Sequence, residues 1–242
     1  MEAGHIAVPG SLGLEAVEAL AAQLATAISA ANVSTIVLEG SSDAFCRGLD
    51  ADALLATDDE EERRRAIEGY QACLRSIRLG PKPTLALVDG PALGGGVGIV
   101  AACDVAVATE RASFAFPESL FGLIPAMVLP LALERMRPQQ VRLWAITASS
   151  RTADEALAAG LVDQVVARDQ LERAGKRWVR QLGRARPDGL AKLASFTARA
   201  AALSVEDALA EGGRITLAAS GDPQVRKALR NFREHGLLSW ED

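Results

Sequence analysis

Pro83-Thr-Leu-Ala-Leu-Val-Asp-Gly-Pro-Ala-Leu-Gly-Gly-Gly-Val-Gly-Ile-Val-Ala-Ala-Cys-Asp104 is the stretch around which the chain is organised. Thr84 to Val88 is short, apolar and branched, the signature of a buried strand. Asp89-Gly90-Pro91 is a turn signal. Gly94-Gly95-Gly96 then opens an apolar helical run, Val97 to Ala102. A glycine cluster between a strand and a helix start lets backbone approach a ligand closely, with unpaired N–H groups directed at it. Such a nest suits a phosphate or an oxyanion. The glycines are contiguous, which excludes the spaced dinucleotide fingerprint, and no Gly-Lys-Ser/Thr follows to make a P-loop.

Two further stretches bear on that choice. Upstream, the strand Thr35-Ile-Val-Leu-Glu39 runs into Gly40-Ser-Ser-Asp-Ala-Phe-Cys-Arg-Gly-Leu-Asp50, a second strand followed by a glycine turn. Downstream, Ala115-Phe-Pro-Glu-Ser-Leu-Phe-Gly-Leu-Ile-Pro125 carries a single carboxylate, Glu118. Two glycine turns offering backbone N–H groups, with one acid in an apolar loop, point to an oxyanion hole facing a general base.

These stretches resemble the crotonase superfamily, the enoyl-CoA hydratases and isomerases. Phe45-Cys-Arg-Gly-Leu-Asp50 is similar to that family's first oxyanion motif, and Asp89-Gly-Pro-Ala-Leu-Gly-Gly-Gly to its second. Pro117-Glu118 with Gly122-Leu-Ile-Pro125 resembles its catalytic-acid loop. Thr152-Ala-Asp-Glu-Ala-Leu-Ala-Ala-Gly-Leu-Val-Asp163 and the C-terminal Phe232-Arg-Glu-His-Gly-Leu-Leu-Ser-Trp240 complete five motifs in the family's order, over roughly residues 33 to 240. The resemblance implies an α/β fold, a crotonase-like ββα spiral core at residues 1–185, and a helical C-terminal trimerisation region at 186–242. It implies a homotrimer or hexamer acting on an acyl-CoA or acyl-carrier-protein substrate. No cofactor is implied beyond the coenzyme A or phosphopantetheine that carries the acyl group.

Composition bounds the same reading. The 242 residues suit one large domain, or one with a small appendage. A hydrophobic content of 49% with 24% charged residues is ordinary for a globular protein. A net charge of −5 argues against nucleic acid as a partner, because no basic stripe is available to replace counterions. No apolar run is long enough to span a membrane, and the first residues lack a signal-peptide layout. The cysteines, at 46, 73 and 103, are odd in number and widely spaced, which fits a reducing cytoplasm. With only His5 and His235, at opposite ends, no metal site is expected.

In chain order, His5 to Val8 reads as a short strand and Leu12 to Ala31 as an amphipathic helix. The family's basic, Asn-containing turn for the CoA adenosine has only Pro9-Gly-Ser-Leu12 in its place. Asp59 to Leu79 reads as a helix whose first turn pairs Glu60 with Arg64 and Glu61 with Arg65. Asp104, without a neighbouring base, reads as a turn or cap residue opening a strand to Ala108. Three strand-plus-helix units in succession argue for parallel pairing. Helical patterns follow from Met127. Thr152 to Glu155 is a capping box for a helix stopped by Gly160, and Leu161 to Val166 is a strand. Residues 169–184, 187–203, 204–219 and 222–234 read as helices.

The resemblance assigns the chemistry residue by residue. The backbone N–H groups of Leu49 and Gly95 are the expected enolate donors, with Gly48 and Gly94 beside them against the substrate. Glu118 is the expected proton carrier, and apolar neighbours should raise its pKa; the alternative is an acid favoured at a helix N-terminus. Hydratases of the family carry a second glutamate two residues after the glycine turn, where this chain has Gly98. Δ3,Δ2-enoyl isomerases of the family keep only the downstream glutamate, so isomerisation is the expectation. Decarboxylation or dehydration of a carrier-bound acyl group, as in polyketide biosynthesis, is the runner-up. Arg47 is then the cation available to a carboxylate or phosphate, unless it extends into solvent. A crotonase-like partner protein without activity is a third reading. Tyr70 either contacts the substrate or packs. Met127 lies in a segment that reshapes the acyl pocket. His235 stands either near an active site or as a helix C-terminal cap. Cys46 reads as packing.

Overall fold

The computed structural model describes residues 2–41, 43–50 and 59–236. Two compact units are present, Met1–Gly183 and Arg184–Asp242. The first is built on a five-stranded sheet of β1 (Glu2–Ala7), β2 (Val33–Glu39), β3 (Thr84–Val88), β5 (Val105–Thr109) and β8 (Gln164–Val166). They lie in the order β1-β2-β3-β5-β8 with every neighbouring pair parallel. Strand-helix succession produces this arrangement, since consecutive parallel strands need a crossover connection.

Strand periodicity divides the core between the two faces of the sheet. Ile36, Leu38, Ala86, Val88, Ala106 and Ala108 point into the main core. There they meet α1 (Leu14–Ser29), α2 (Glu60–Leu79) and α3 (Gly95–Ala102). The alternate residues Val37, Leu85, Leu87, Val105 and Val107 meet Ala174, Trp178 and Val179 of α7 (Leu171–Leu182) on the other face. Both faces are covered, so these strands read as continuous apolar runs.

A second, smaller sheet joins β4 (Pro91–Leu93), β6 (Ser113–Ala115) and β7 (Arg151–Thr152) in the order β4-β6-β7. The sequence offers only a turn at Asp89-Gly-Pro91, because strands of two or three residues carry no readable periodicity. Proline is tolerated as the first residue of β4 since that position needs no N–H. Between β6 and β7 lie a 3-10 turn, Pro117–Phe121, and helices α4 (Leu129–Arg135) and α5 (Pro138–Thr147), the latter with proline at its first position. α6 (Ala153–Ala159) opens with the expected capping box, Glu155 N donating to Thr152 Oγ1 at 3.2 Å and Thr152 N to Glu155 Oε2 at 2.8 Å. It stops at the left-handed Gly160.

Two polar devices fix how these elements meet. Lys82, almost fully buried, donates from Nζ to the carbonyls of Ala27 (2.7 Å) and Ala30 (2.6 Å), capping α1 at its C-terminus. Asp104 joins β3 to the start of β5. Its Oδ2 accepts from Thr84 N at 2.8 Å and from Thr84 Oγ1 at 3.0 Å. The charge run at the head of α2 pairs differently from the sequence expectation. Arg64 bridges Glu61 and Glu68, while Arg65 reaches Glu18 on the adjacent α1. An acid on the neighbouring helix competes with the i,i+4 partner within one helix.

The second unit consists of α8 (Pro187–Ala200), α9 (Val205–Gly221) and α10 (Pro223–His235). Ser204 and Asp222 cap α9 and α10 by accepting backbone N–H bonds. None of its described residues is buried, and Leu209, Leu217, Leu229 and Phe232 stand exposed. No helix among the described residues is long and apolar enough to cross a membrane.

Asp104→Ala removes two acceptor contacts at the root of the central strand pair. A loss of about 1–2 kcal/mol is expected, read as a lower urea midpoint with an unchanged slope.

Candidate active site

The two glycine turns that stand apart in sequence are sewn together by backbone hydrogen bonds. Phe45 N and Cys46 N donate to Pro91 O at 2.9 and 3.2 Å, and Leu93 N returns a bond to Cys46 O at 2.9 Å. Glycine is required where the turns touch. A Cβ on Gly96 would collide with the Cys46 carbonyl, and one on Gly48 would stand 2.6 Å from Leu93 O and 3.0 Å from Gly95 N. Gly48 (φ +84) and Gly94 (φ +49) also occupy backbone space that other residues rarely enter.

Pro9-Gly-Ser-Leu12 straps the first turn in place. Arg47 N donates to Gly10 O at 2.7 Å, Leu12 N to Gly48 O at 2.7 Å, and Asp50 N to Leu12 O at 3.4 Å. Ser11 Oγ adds a bond to Asp50 Oδ2 at 2.9 Å. In this parallel bridge Leu12 bonds the residues flanking Leu49, so the N–H of Leu49 faces the opposite way. The sequence marks this segment only as a departure from the adenosine-binding pattern, because a strap held by main-chain bonds leaves no residue signature.

Among the described residues, neither Leu49 N nor Gly95 N has an acceptor. Leu49 N is free because of the bridge geometry. Gly95 N is free because it is the first residue of α3, where no carbonyl lies a turn earlier. The next turn of α3 is already engaged, with Gly98 N donating to Gly94 O at 3.2 Å.

Glu118 lies against the same glycine turn. A Cβ on Gly94 would sit 2.7 Å from Glu118 Oε1. Glu118 occupies the 3-10 turn that follows β6, and β6 is itself anchored to the glycine turn by Gly94 N donating to Ala115 O at 2.9 Å. Its Oε2 is buried without a hydrogen-bond partner. Burial raises the carboxyl's pKa from 4.5, with its own backbone N–H opposing the rise. A buried carboxylate oxygen without a partner is a departure from the usual pairing of buried polar atoms.

Tyr70, on α2, is 4% exposed and donates its hydroxyl to Gly95 O at 2.6 Å. Burial drives its pKa well above the ordinary phenol range, so it stays a neutral donor. Gly98 carries no side chain, and the Tyr70 hydroxyl fills the place where one would begin. Val128, missed by sequence reasoning, closes the same space from the next segment, its Cγ2 3.0 Å from a Cβ built on Gly98. Met127 is half-buried and packs against the main core. Cys46 is fully buried, its thiol pushed up to about 11 by desolvation, which makes it packing and not a nucleophile. Arg47 is exposed, and its guanidinium has no partner among the described residues. His235 ends α10 in the second unit, exposed, with the left-handed Gly236 following it. The rest of that C-terminal motif, residues 237–240, lies outside the described residues. Among the described residues no cluster of His, Cys, Asp and Glu is arranged to hold a metal ion.

The family model for enoyl-CoA hydratase/isomerase matches residues 8–242. The chain is 29% identical over 218 residues to the bacillaene synthase dehydratase PksH of Bacillus subtilis, covering 87% of this chain and 80% of the relative. It is 28% identical over 242 residues to 4-chlorobenzoyl coenzyme A dehalogenase-1 of an Arthrobacter species, covering 97% and 85%. The solved structure of Pseudomonas aeruginosa AtuE superposes with a TM-score of 0.89 at 27% identity, covering 98% of this chain and 95% of that one.

The Glu118 environment sets a sign for stability. The folded chain holds this proton more tightly than the unfolded one, so the group's contribution is full below pH 4.5 and is lost as pH rises through the raised folded value. Glu118→Gln is therefore expected to raise the melting temperature at about pH 7 and to leave it unchanged at about pH 4, measured by calorimetry in matched buffers.

Proposed function

The chain belongs to the enoyl-CoA hydratase/isomerase family and is an enzyme of that family, and on that footing we propose that it dehydrates a 3-hydroxyacyl thioester through an enolate, with Glu118 as the sole proton shuttle. The observation that carries this reading is one half-buried carboxyl and two N–H groups, without acceptors among the described residues, on two glycine turns that are hydrogen-bonded to each other.

In the first step the Glu118 carboxylate takes a proton from C2 of the acyl group. The C–H electron pair moves into the thioester, and the resulting enolate oxygen accepts the N–H groups of Leu49 and Gly95. A preorganised donor of this kind is worth ~3 kcal/mol in the transition state. In the second step the pair returns to form the C2=C3 bond, and the C3–O bond breaks. The leaving hydroxyl takes the proton from Glu118 and departs as water. A proton and a hydroxyl that leave from one face need only one carboxyl. The absence of a second acid at Gly98 is thus compatible with dehydration as well as with the isomerisation expected from sequence.

The likeness to a protein named as a dehydratase of a synthase, over most of both chains, favours dehydration and an acyl group carried on phosphopantetheine. Isomerisation uses the same three groups, with the proton returned to C4, and is the second reading. Arg47, exposed in the first turn and without a partner among the described residues, is a cation available to a substrate phosphate or carboxylate. The exposed apolar residues of α9 and α10 support assembly of the second unit into a trimer, which sedimentation equilibrium tests directly.

The deciding experiment offers 3-hydroxyacyl, 3-enoyl and 2-carboxyacyl thioesters, on coenzyme A and on carrier protein, in deuterated water. Water loss from the 3-hydroxyacyl substrate, with C2 exchange that disappears in Glu118→Gln, is the expected outcome. A fall in kcat of at least about a hundredfold is expected for that variant. Double-bond migration alone assigns the isomerase, and carbon dioxide release that survives the mutation assigns a decarboxylase. Because the base must be ionised, kcat/KM should fall on the acid side at a pH above the ordinary glutamate value of 4.5.

A further inference from the structure

We propose that Tyr70 is a positioning residue, standing in the volume that a side chain at residue 98 would need and holding the Gly95 turn in its donor geometry. This rests on the enolate reading of the site given above.

Residues 70 and 98 are steric alternatives. A Cβ built on Gly98 collides with the Tyr70 hydroxyl, yet stands at an ordinary 3.5 Å from the ring carbon that bears it. The hydroxyl oxygen is the nearer of two obstacles to a side chain at position 98, with Val128 Cγ2 second at 3.0 Å. The same oxygen also lies 3.3 Å from a Cβ built on Gly95, so the phenol closes over the first turn of α3.

The hydrogen bond to Gly95 O has a specific task. Gly94, Gly95 and Gly96 are contiguous, and three glycines in a row give the backbone more freedom than any other tripeptide. The N–H of Gly95 is a useful donor only while the turn keeps one orientation. Within this turn, Leu12 limits one side, its Cδ1 2.7 Å from a Cβ position on Gly95. Tyr70 supplies a directional bond at 2.6 Å to the carbonyl of the same residue. The bond is part-buried, and the phenol stands on a helix whose Cys73 packs under Val17 of α1, with Sγ 3.7 Å from the Val17 carbonyl. A neutral hydroxyl does this without adding a second charge beside Glu118, whose negative charge is one of the causes that keep the phenol protonated.

Tyr70→Phe keeps the ring and deletes the hydroxyl. It is expected to lower kcat by roughly ten- to a hundredfold with KM changed by less than about twofold, because only the orientation of the enolate donor is lost. Affinity for a 3-oxoacyl thioester, whose C2 ionises to an enolate far more readily, should fall in the same proportion, while affinity for the saturated acyl thioester should not. Loss of packing alone does not divide ligands in this way. Gly98→Ala, by displacing the hydroxyl, should produce a similar loss in the otherwise native protein and little further loss in Tyr70→Phe, a strongly non-additive pair.

Wild-type kcat in Tyr70→Phe beside an inactive Glu118→Gln overturns the role of Tyr70 and leaves the enolate reading standing. Additive losses from Tyr70→Phe and Gly98→Ala overturn it as well. A native protein that exchanges no C2 proton in any acyl thioester overturns the enolate reading and, with it, this assignment.

Discussion

The backbone bonds between Cys46 and β4 are the constraint on which the rest of the molecule depends. They join two strand-helix connections more than forty residues apart so tightly that Gly96 cannot bear a Cβ. Once the turns are fused, the direction of their remaining N–H groups follows. Leu49 is flanked by residues bonded to Leu12, and Gly95 begins a helix, so each keeps one donor without an acceptor among the described residues. Unused donors are ordinarily a cost to a folded chain. Here they are concentrated at one place, together with an acceptor, Glu118 Oε2, that is unused as well. Donors and acceptor left open side by side mark a site better than any one of them.

Charge is distributed unevenly around that site. The Gly94–Gly96 turn is met by the neutral Tyr70 hydroxyl and by Cys46 beside the carboxyl of Glu118, whereas Arg47 and Asp50 flank Gly48 and Leu49 in the first turn. The ion pairs of the first unit lie elsewhere, as between Arg168 and Asp89, Arg78 and Glu134, or Arg65 and Glu18. Partial burial raises the pKa of the Glu118 carboxyl, the largest cause being its desolvation. A second carboxylate at position 98 would add like-charge repulsion to desolvation. The tyrosine that occupies that space adds a hydrogen bond instead.

Parallel strands buried on both faces, glycine turns, a capping box and a left-handed helix stop are local events, written in the residues that perform them. Thr84 to Val88, the box at Thr152 and the stop at Gly160 were therefore legible in sequence, and so were both glycine turns and the loop that carries Glu118. The family followed from the order of those motifs. The strap at Pro9 to Leu12 was not legible, since main-chain bonds to Gly10 and Gly48 ask nothing of the side chains. Nor were the three short strands of the second sheet, too brief to show a period. The pairing of Arg65 with Glu18 escaped because helix neighbours are set by the fold and not by spacing along one helix.

Sequence by itself determined the fold class, the family and the absence of a side chain at residue 98. Only the tertiary structure decided that this absence is enforced. Tyr70 and Gly98 lie on different helices, and no local rule relates them. Their relation is one of excluded volume, the contest of a phenol oxygen and a Cβ for one space, which exists only after α2 and α3 have packed.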